Sequence, residues 1–220
     1  MRSKQSGFTL VEIAIVLVII GLLLGGVLKG QELINSAKVK NLINDFRSTS
    51  TFVYSYQDRF RAIPGDDAAA VAHVAATAAA TTHGATGAGG DGRINGAWNS
   101  ATTTDESYRF WEQVRLAGLA SGTTTIGNAD YIPRNADGGV IGITGDPVIT
   151  GTAWNGTFFV CSDNIQGRYA RQIDTTIDDG NTTTGSVRVI GVAGTATAAA
   201  SPANLTPTED TTLYVVCVAY

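Results

Sequence analysis

Residues 8–28 read FTLVEIAIVLVIIGLLLGGVL, from Phe8 to Leu28, an apolar run of 21 residues with a single charged side chain, Glu12. At about 1.5 Å per residue, a helix of that length spans the ~30 Å hydrocarbon core of a bilayer. A secretory signal peptide is a competing reading, but its apolar core is about 7–15 residues long and ends at a small-residue cleavage site. This run is longer and passes without such a site into LKGQELINSAKVK. A plain membrane anchor fits the length, and the basic leader MRSKQSG favours a cytoplasmic start. Glu12 is what an anchor leaves unexplained. A carboxylate within hydrocarbon costs roughly several kcal/mol unless it has a partner, and an intramembrane acid points to function. Its simplest partner is a positive charge on a neighbouring chain.

The order of these residues carries a resemblance. A short basic leader ends in Gly7; Phe8 follows, then Glu12 at the fifth position beyond the glycine, then an unbroken apolar helix. This resembles the prepilin processing motif of type IV pilins and type II secretion pseudopilins. The resemblance implies cleavage after Gly7 by a prepilin peptidase, N-methylation of Phe8, and a role for Glu12 in assembly, paired with the terminal amine of an adjacent subunit. The chemistry is consistent. Gly7 presents no side chain to a protease at the membrane surface, and cleavage would create an amine at the head of a helix whose only other charge is Glu12. Helices of this kind can leave lipid for a filament core, where a charge pair sets register. Many pilins carry a proline near the end of the apolar run; here Lys29 occupies that region, and Gly21, Gly25, Gly26 and Gly30 are the weak points.

Charge divides the rest of the chain. Residues 29–61 hold six basic and three acidic side chains, whereas residues 62–220 hold 15 acids against seven arginines, and every lysine precedes residue 41. A basic stem and an acidic head argue against a head that tracks phosphates, so no nucleic-acid partner is expected. Within the stem Val39, Phe46, Val53 and Phe60 recur every seven residues, with Leu42 and Ile43 widening the stripe, which predicts helix to about Arg61. Ile63-Pro64-Gly65 ends it. Thr103-x-x-Glu106 reads as a capping box for a further helix, with Phe110, Trp111, Val114, Ala117 and Gly118 on one face, ending near Gly122.

Beyond residue 138 the pattern becomes strands, at 139–144, 157–161, 186–192 and 213–219, separated by Gly/Thr/Asn/Asp loops. The expectation is an α+β fold: a leader (1–7), a membrane-spanning or filament-core helix (8–28), an amphipathic stalk helix (29–62), and a head (63–220) whose antiparallel sheet lies on the stalk. The order Ile63-Pro-Gly-Asp66, Gly90-Asp-Gly-Arg-Ile94, Glu106, Trp111 and Ala117-Gly-Leu119 is similar to that of a pilin-like family sharing this head layout.

Few residues in the head suggest chemistry. Cys161 and Cys217 sit in the apolar runs FFVCSD and LYVVCVAY; in an exported head they are expected to form one disulfide, two buried thiols being the other reading. Closing a loop of that size is worth roughly 4 kcal/mol in the chain-entropy model. GGDGRIN resembles an EF-type calcium loop in two registers, but neither supplies enough oxygen ligands. No metal site is therefore expected; Asp66, Asp67 and Asp91 are the weak candidates, and Asp174, Asp178 and Asp179 read as part of a solvated loop over residues 173–188. His73 and His83, ten residues apart, read as solvated or packed. G-x-S-x-G, H-E-x-x-H and a Walker A sequence are absent from the sequence, so an enzyme is not expected, nor a cofactor. The resemblance implies a structural filament subunit, with a tip adhesin or receptor-binding minor pilin as the alternative. Its implied partners are other pilin subunits, prepilin peptidase, an inner-membrane assembly platform, and membrane lipid before assembly. Its implied place is the inner membrane with an exported head, then a filament at the cell surface or in the periplasm.

Overall fold

The computed structural model describes residue 7 and residues 9–78, 89–149, 154–193 and 204–220. Its first element, α1, is one helix over Leu10–Phe60. Two compact units divide it: one runs through Lys40, the other from Asn41 to Tyr220. In the first unit an 18-residue window of α1 has a mean hydropathy of 2.8 and none of it is buried. In the second unit the heptad stripe is inward-facing, with Leu42, Phe46, Val53 and Tyr56 all buried. Phe60, the last member of that stripe, is half-buried; it stacks on His73 at a ring-centroid distance of 5.5 Å and lies tilted against Tyr56 at 4.6 Å. The helix stops where Arg61 turns left-handed (φ 57°), just ahead of Pro64.

The short α2 (Ala70–Val74) and α3 (Glu106–Leu116) follow. The sequence predicted a Thr103/Glu106 capping box, and α3 does not start that way. Its N-cap is Asp105, so Glu106 is the first helical residue and its carboxylate is free for another task. It ends at Leu116, earlier than Gly122, because Gly118 (φ 74°) turns left-handed and Leu119 N–H closes back on the Val114 carbonyl.

Four strands, β1 (Ile141–Thr144), β2 (Phe159–Gln166), β3 (Val187–Val192) and β4 (Leu213–Ala219), form an antiparallel sheet in the order β1-β2-β4-β3. The chain is α+β, a long N-terminal helix with a four-stranded sheet and a few short helices. Alternation sorts the side chains of the sheet. Phe158, Val160, Val216 and Tyr220 share the face toward α1, where the Tyr54 and Phe158 rings lie 5.9 Å apart and Tyr220 stacks on Phe158 at 5.3 Å. Phe159, Cys161, Ile190, Val215 and Cys217 face the other way, into a core closed by Trp98, Val148 and Ile149.

One element departs from the expected loop over residues 173–188. Residues Gly167–Ile177 form α4, with Tyr169, Ala170, Ile173 and Asp174 on its buried side. The loop proper begins at Asp178.

Candidate functional site

The start of α1 is built by two residues. Thr9 precedes the first helical residue, and its hydroxyl accepts the Glu12 backbone N–H at 3.2 Å. Glu12 reaches back: one of its oxygens accepts the Thr9 backbone N–H at 2.8 Å and the Thr9 hydroxyl at 2.7 Å. This is a capping box, and it satisfies two of the donors that every helix start leaves open. It gives Glu12 partners within its own chain, where the sequence reading looked to a neighbouring one. The signal was present in Thr9-x-x-Glu12. Gly7 is exposed, with nothing within 4 Å of where a Cβ would stand; Phe8 lies outside the described residues.

From Leu10 to Leu28 the apolar side chains of α1 project without cover: Leu10, Leu17, Leu22 and Leu28 are each more than 60% exposed. Gly21, Gly25, Gly26 and Gly30 likewise have open space where a Cβ would go. An apolar surface of this extent requires lipid or other helices around it.

In the head, the disulfide between Cys161 and Cys217 joins directly opposed residues of β2 and β4, with Cα atoms 4.0 Å apart. Among the weak metal candidates, the fold separates Asp67 from the other two. Asp67 accepts the Tyr56 hydroxyl at 2.7 Å and the Ala69 N–H at 2.8 Å, and pairs with His73 Nδ1 at 2.8 Å. It ties α1 to α2. Asp66 instead accepts the backbone N–H groups of Gly90, Asp91 and Gly92, and lies beside Asp91 and Glu106. Gly65 permits this approach: its φ is 93°, and a Cβ there would stand 2.6 Å from the Glu106 carbonyl oxygen. Glu106, freed from the capping role, accepts the Asn95 N–H at 2.8 Å with one oxygen. Burial, with Asp66 and Asp91 adding repulsion, pushes its carboxyl up to about 7. Spacing could not have shown Glu106 here, because it is brought in by the fold from 15 residues beyond Asp91. His83 lies outside the described residues.

A second acidic group lies where α4 gives way to its loop: Asp174, Asp178 and Asp179 present oxygens within 4.8 Å of one another. Burial and the two neighbouring aspartates push Asp174 up to about 7.

Against known families, residues 2–28 match the model of the prokaryotic N-terminal methylation motif. No curated protein and no solved structure matches the chain.

Proposed function

We propose that this chain, which carries the N-terminal methylation motif that is the hallmark of type IV pilins and pseudopilins, is a structural subunit of a type IV pilus or a related secretion pseudopilus. The observation that carries the reading is the motif together with α1: Glu12 is the one charge on an uncovered apolar segment that begins just after Gly7. In this reading a prepilin peptidase cuts after Gly7, and the Phe8 amine that results is methylated. The apolar half of α1 holds the subunit in the inner membrane, with the disulfide-bonded head on the oxidising side. Assembly then transfers α1 from lipid into a bundle of like helices. That transfer is nearly neutral for apolar side chains, which meet similar surroundings on both sides. Direction comes from charge. Glu12 trades its Thr9 contacts for the amine of the next subunit, and the ion pair fixes one register among many that apolar packing would allow. The head contributes no catalysis to this process; it is the surface the filament displays.

Mass spectrometry of the chain purified from cells with an active prepilin peptidase tests the reading. The expected mature species begins at methylated Phe8. A chain retaining Met1 to Gly7 in such cells overturns it. The proportion of the chain in sheared surface filaments then assigns the role: the dominant band for a major subunit, a trace for a minor one.

A further inference from the structure

Asp174 is fully buried, and neither of its carboxylate oxygens has a hydrogen-bond partner among the described residues. A buried carboxylate without partners costs several times the net worth of an ordinary hydrogen bond, so a folded chain does not leave one empty without compensation. Among the described residues no cationic side chain bonds to it, and the Arg188 charge acts on the neighbouring Asp179. Arg171, one turn earlier on α4, is engaged with Asp210, and Arg188 donates to the Gly185 carbonyl while lying over the Trp154 ring.

The surroundings are acidic instead. Asp178 accepts the Val187 N–H at 2.7 Å with one oxygen and the Ser186 hydroxyl at 3.2 Å with the other. Asp179 accepts the Asn181 N–H and the Thr184 hydroxyl. These neutral donors hold both carboxylates in place and leave each oxygen a second lone pair. Gly185 lets the loop close over them: its φ is 68°, and a Cβ there would stand 2.1 Å from Asp178 Oδ2. The three side chains bring oxygens within 4.8 Å of one another, which is twice a Ca²⁺–oxygen distance of about 2.4 Å. The position, at the C-terminal end of α4, adds the partial negative charge of the helix dipole.

We propose that Asp174, Asp178 and Asp179 bind a calcium ion, which clamps the end of α4 to the loop leading into β3. All three ligands are hard carboxylate oxygens, and the loop between Asp178 and Ser186 offers further hydroxyl and carbonyl oxygens to an ion that takes six to eight. A single proton on Asp174 is the competing occupant, since it too would remove the unpaired charge. The proposal is independent of the filament reading; a head of any function could carry such a clamp.

The two occupants predict different behaviour of the full-length chain in detergent. With calcium as ligand, adding Ca²⁺ to about 10 mM, the range that saturates extracellular calcium modules, raises the melting temperature, and EGTA reverses it. Asp174→Asn then raises the melting temperature in EGTA, because the unpaired charge is gone, and abolishes the response to Ca²⁺. Asp178 also orders the loop through Val187, so the exposed Asp179→Asn is the gentler variant; it shifts the calcium midpoint at least tenfold upward. Terbium offers a direct probe: the Trp154 indole donates to the Gly185 carbonyl at 3.0 Å, close enough to sensitise a bound Tb³⁺, and Trp154→Phe removes that emission. No Ca²⁺ response in the unmodified chain overturns the proposal. So does a response that survives Asp174→Asn, and so does one lost in Glu106→Gln but kept in the Asp174 variant, which would assign the ion to the Asp66 cluster.

Discussion

Three Thr-x-x-Glu sequences in this chain carry the same local signature, and two of them become capping boxes. Thr9 and Glu12 close on each other, as do Thr206 and Glu209, whereas Glu106 opens α3 and its carboxylate accepts the Asn95 N–H beside Asp66. The difference lies in what else each glutamate can reach. Nothing surrounds Glu12; the fold packs Glu106 fully, so long-range contacts override the local preference. For that reason the sequence pointed to Glu12 as a functional residue but could not place Glu106. The capping box also shapes what Glu12→Ala does. Insertion into membrane should be unimpaired or improved, since a polar group is removed from lipid, with some loss of stability at the helix end. Incorporation into filaments should fall. Comparison of membrane and sheared-filament fractions checks this, and equal incorporation beside the unmodified chain would remove Glu12 from the assembly role. Glu106 gives a second expectation, in pH. Its carboxyl is raised to about 7 in the fold, against about 4.3 for an unfolded chain. Below about 4.3 both states are protonated and the group is neutral to stability. Between those values the unfolded chain ionises first, so stability falls as pH rises, and the loss is complete above about 7. Glu106→Gln keeps an acceptor for Asn95 and presents an amide to Asp66 and Asp91. Melting temperatures measured in EGTA should therefore fall less between pH 4.5 and 7.5 for the variant than for the unmodified chain. Equal slopes would contradict this.

At the scale of elements, hydrophobic period was the reliable signal. The stripe Leu42-Phe46-Val53 and the strand runs each repeat with a spacing that one element type can bury, while the unbroken run up to Leu28 was legible by its length alone. The strands came out within a few residues of their expected ends, except that β2 continues to Gln166 past the apolar run, through SDNIQ, with a register shift between Ser162 and Ile165. α4 was read as loop because Thr175, Thr176 and the following Asp/Gly/Asn cluster dominate its composition. Yet Tyr169, Ala170 and Ile173 lie at helical spacing and are all buried. A short helix facing a ready-made sheet needs only those few contacts. α1 poses the opposite case, an element longer than its own unit can cover. Gly25→Ala replaces a helix-weakening residue where a Cβ meets nothing within 4 Å. The isolated subunit should gain up to about 1 kcal/mol of local helix stability, read as slower hydrogen exchange around residue 25. Any accompanying loss of filament assembly then reports contacts between subunits, or a need for the helix to open there. Unchanged exchange would show that Gly25 does not limit the helix.

For the molecule as a whole, the disulfide is the strongest single restraint on the head. It spans 56 residues of sequence, so the chain-entropy model assigns it roughly 4 kcal/mol, a large share of the stability of a domain this size. Cys161→Ser with Cys217→Ser should lower the melting temperature of the head by about 10 °C or more and expose β4 to protease. A double variant as protease-resistant as the unmodified chain would refute that. The order β1-β2-β4-β3 carries a consequence in time. β2 and β3 do not pair with each other; each pairs with β4, the last of the four strands to be made. Until residues 213–219 arrive, β2 has only β1 beside it, and β3 has no partner strand at all. For the exported subunit proposed above, the head therefore cannot close during its own synthesis or while its tail is still threading across a membrane. It travels as an open chain and snaps shut in one late event, when a single strand enters the gap between two waiting ones and its cysteine meets the thiol already there.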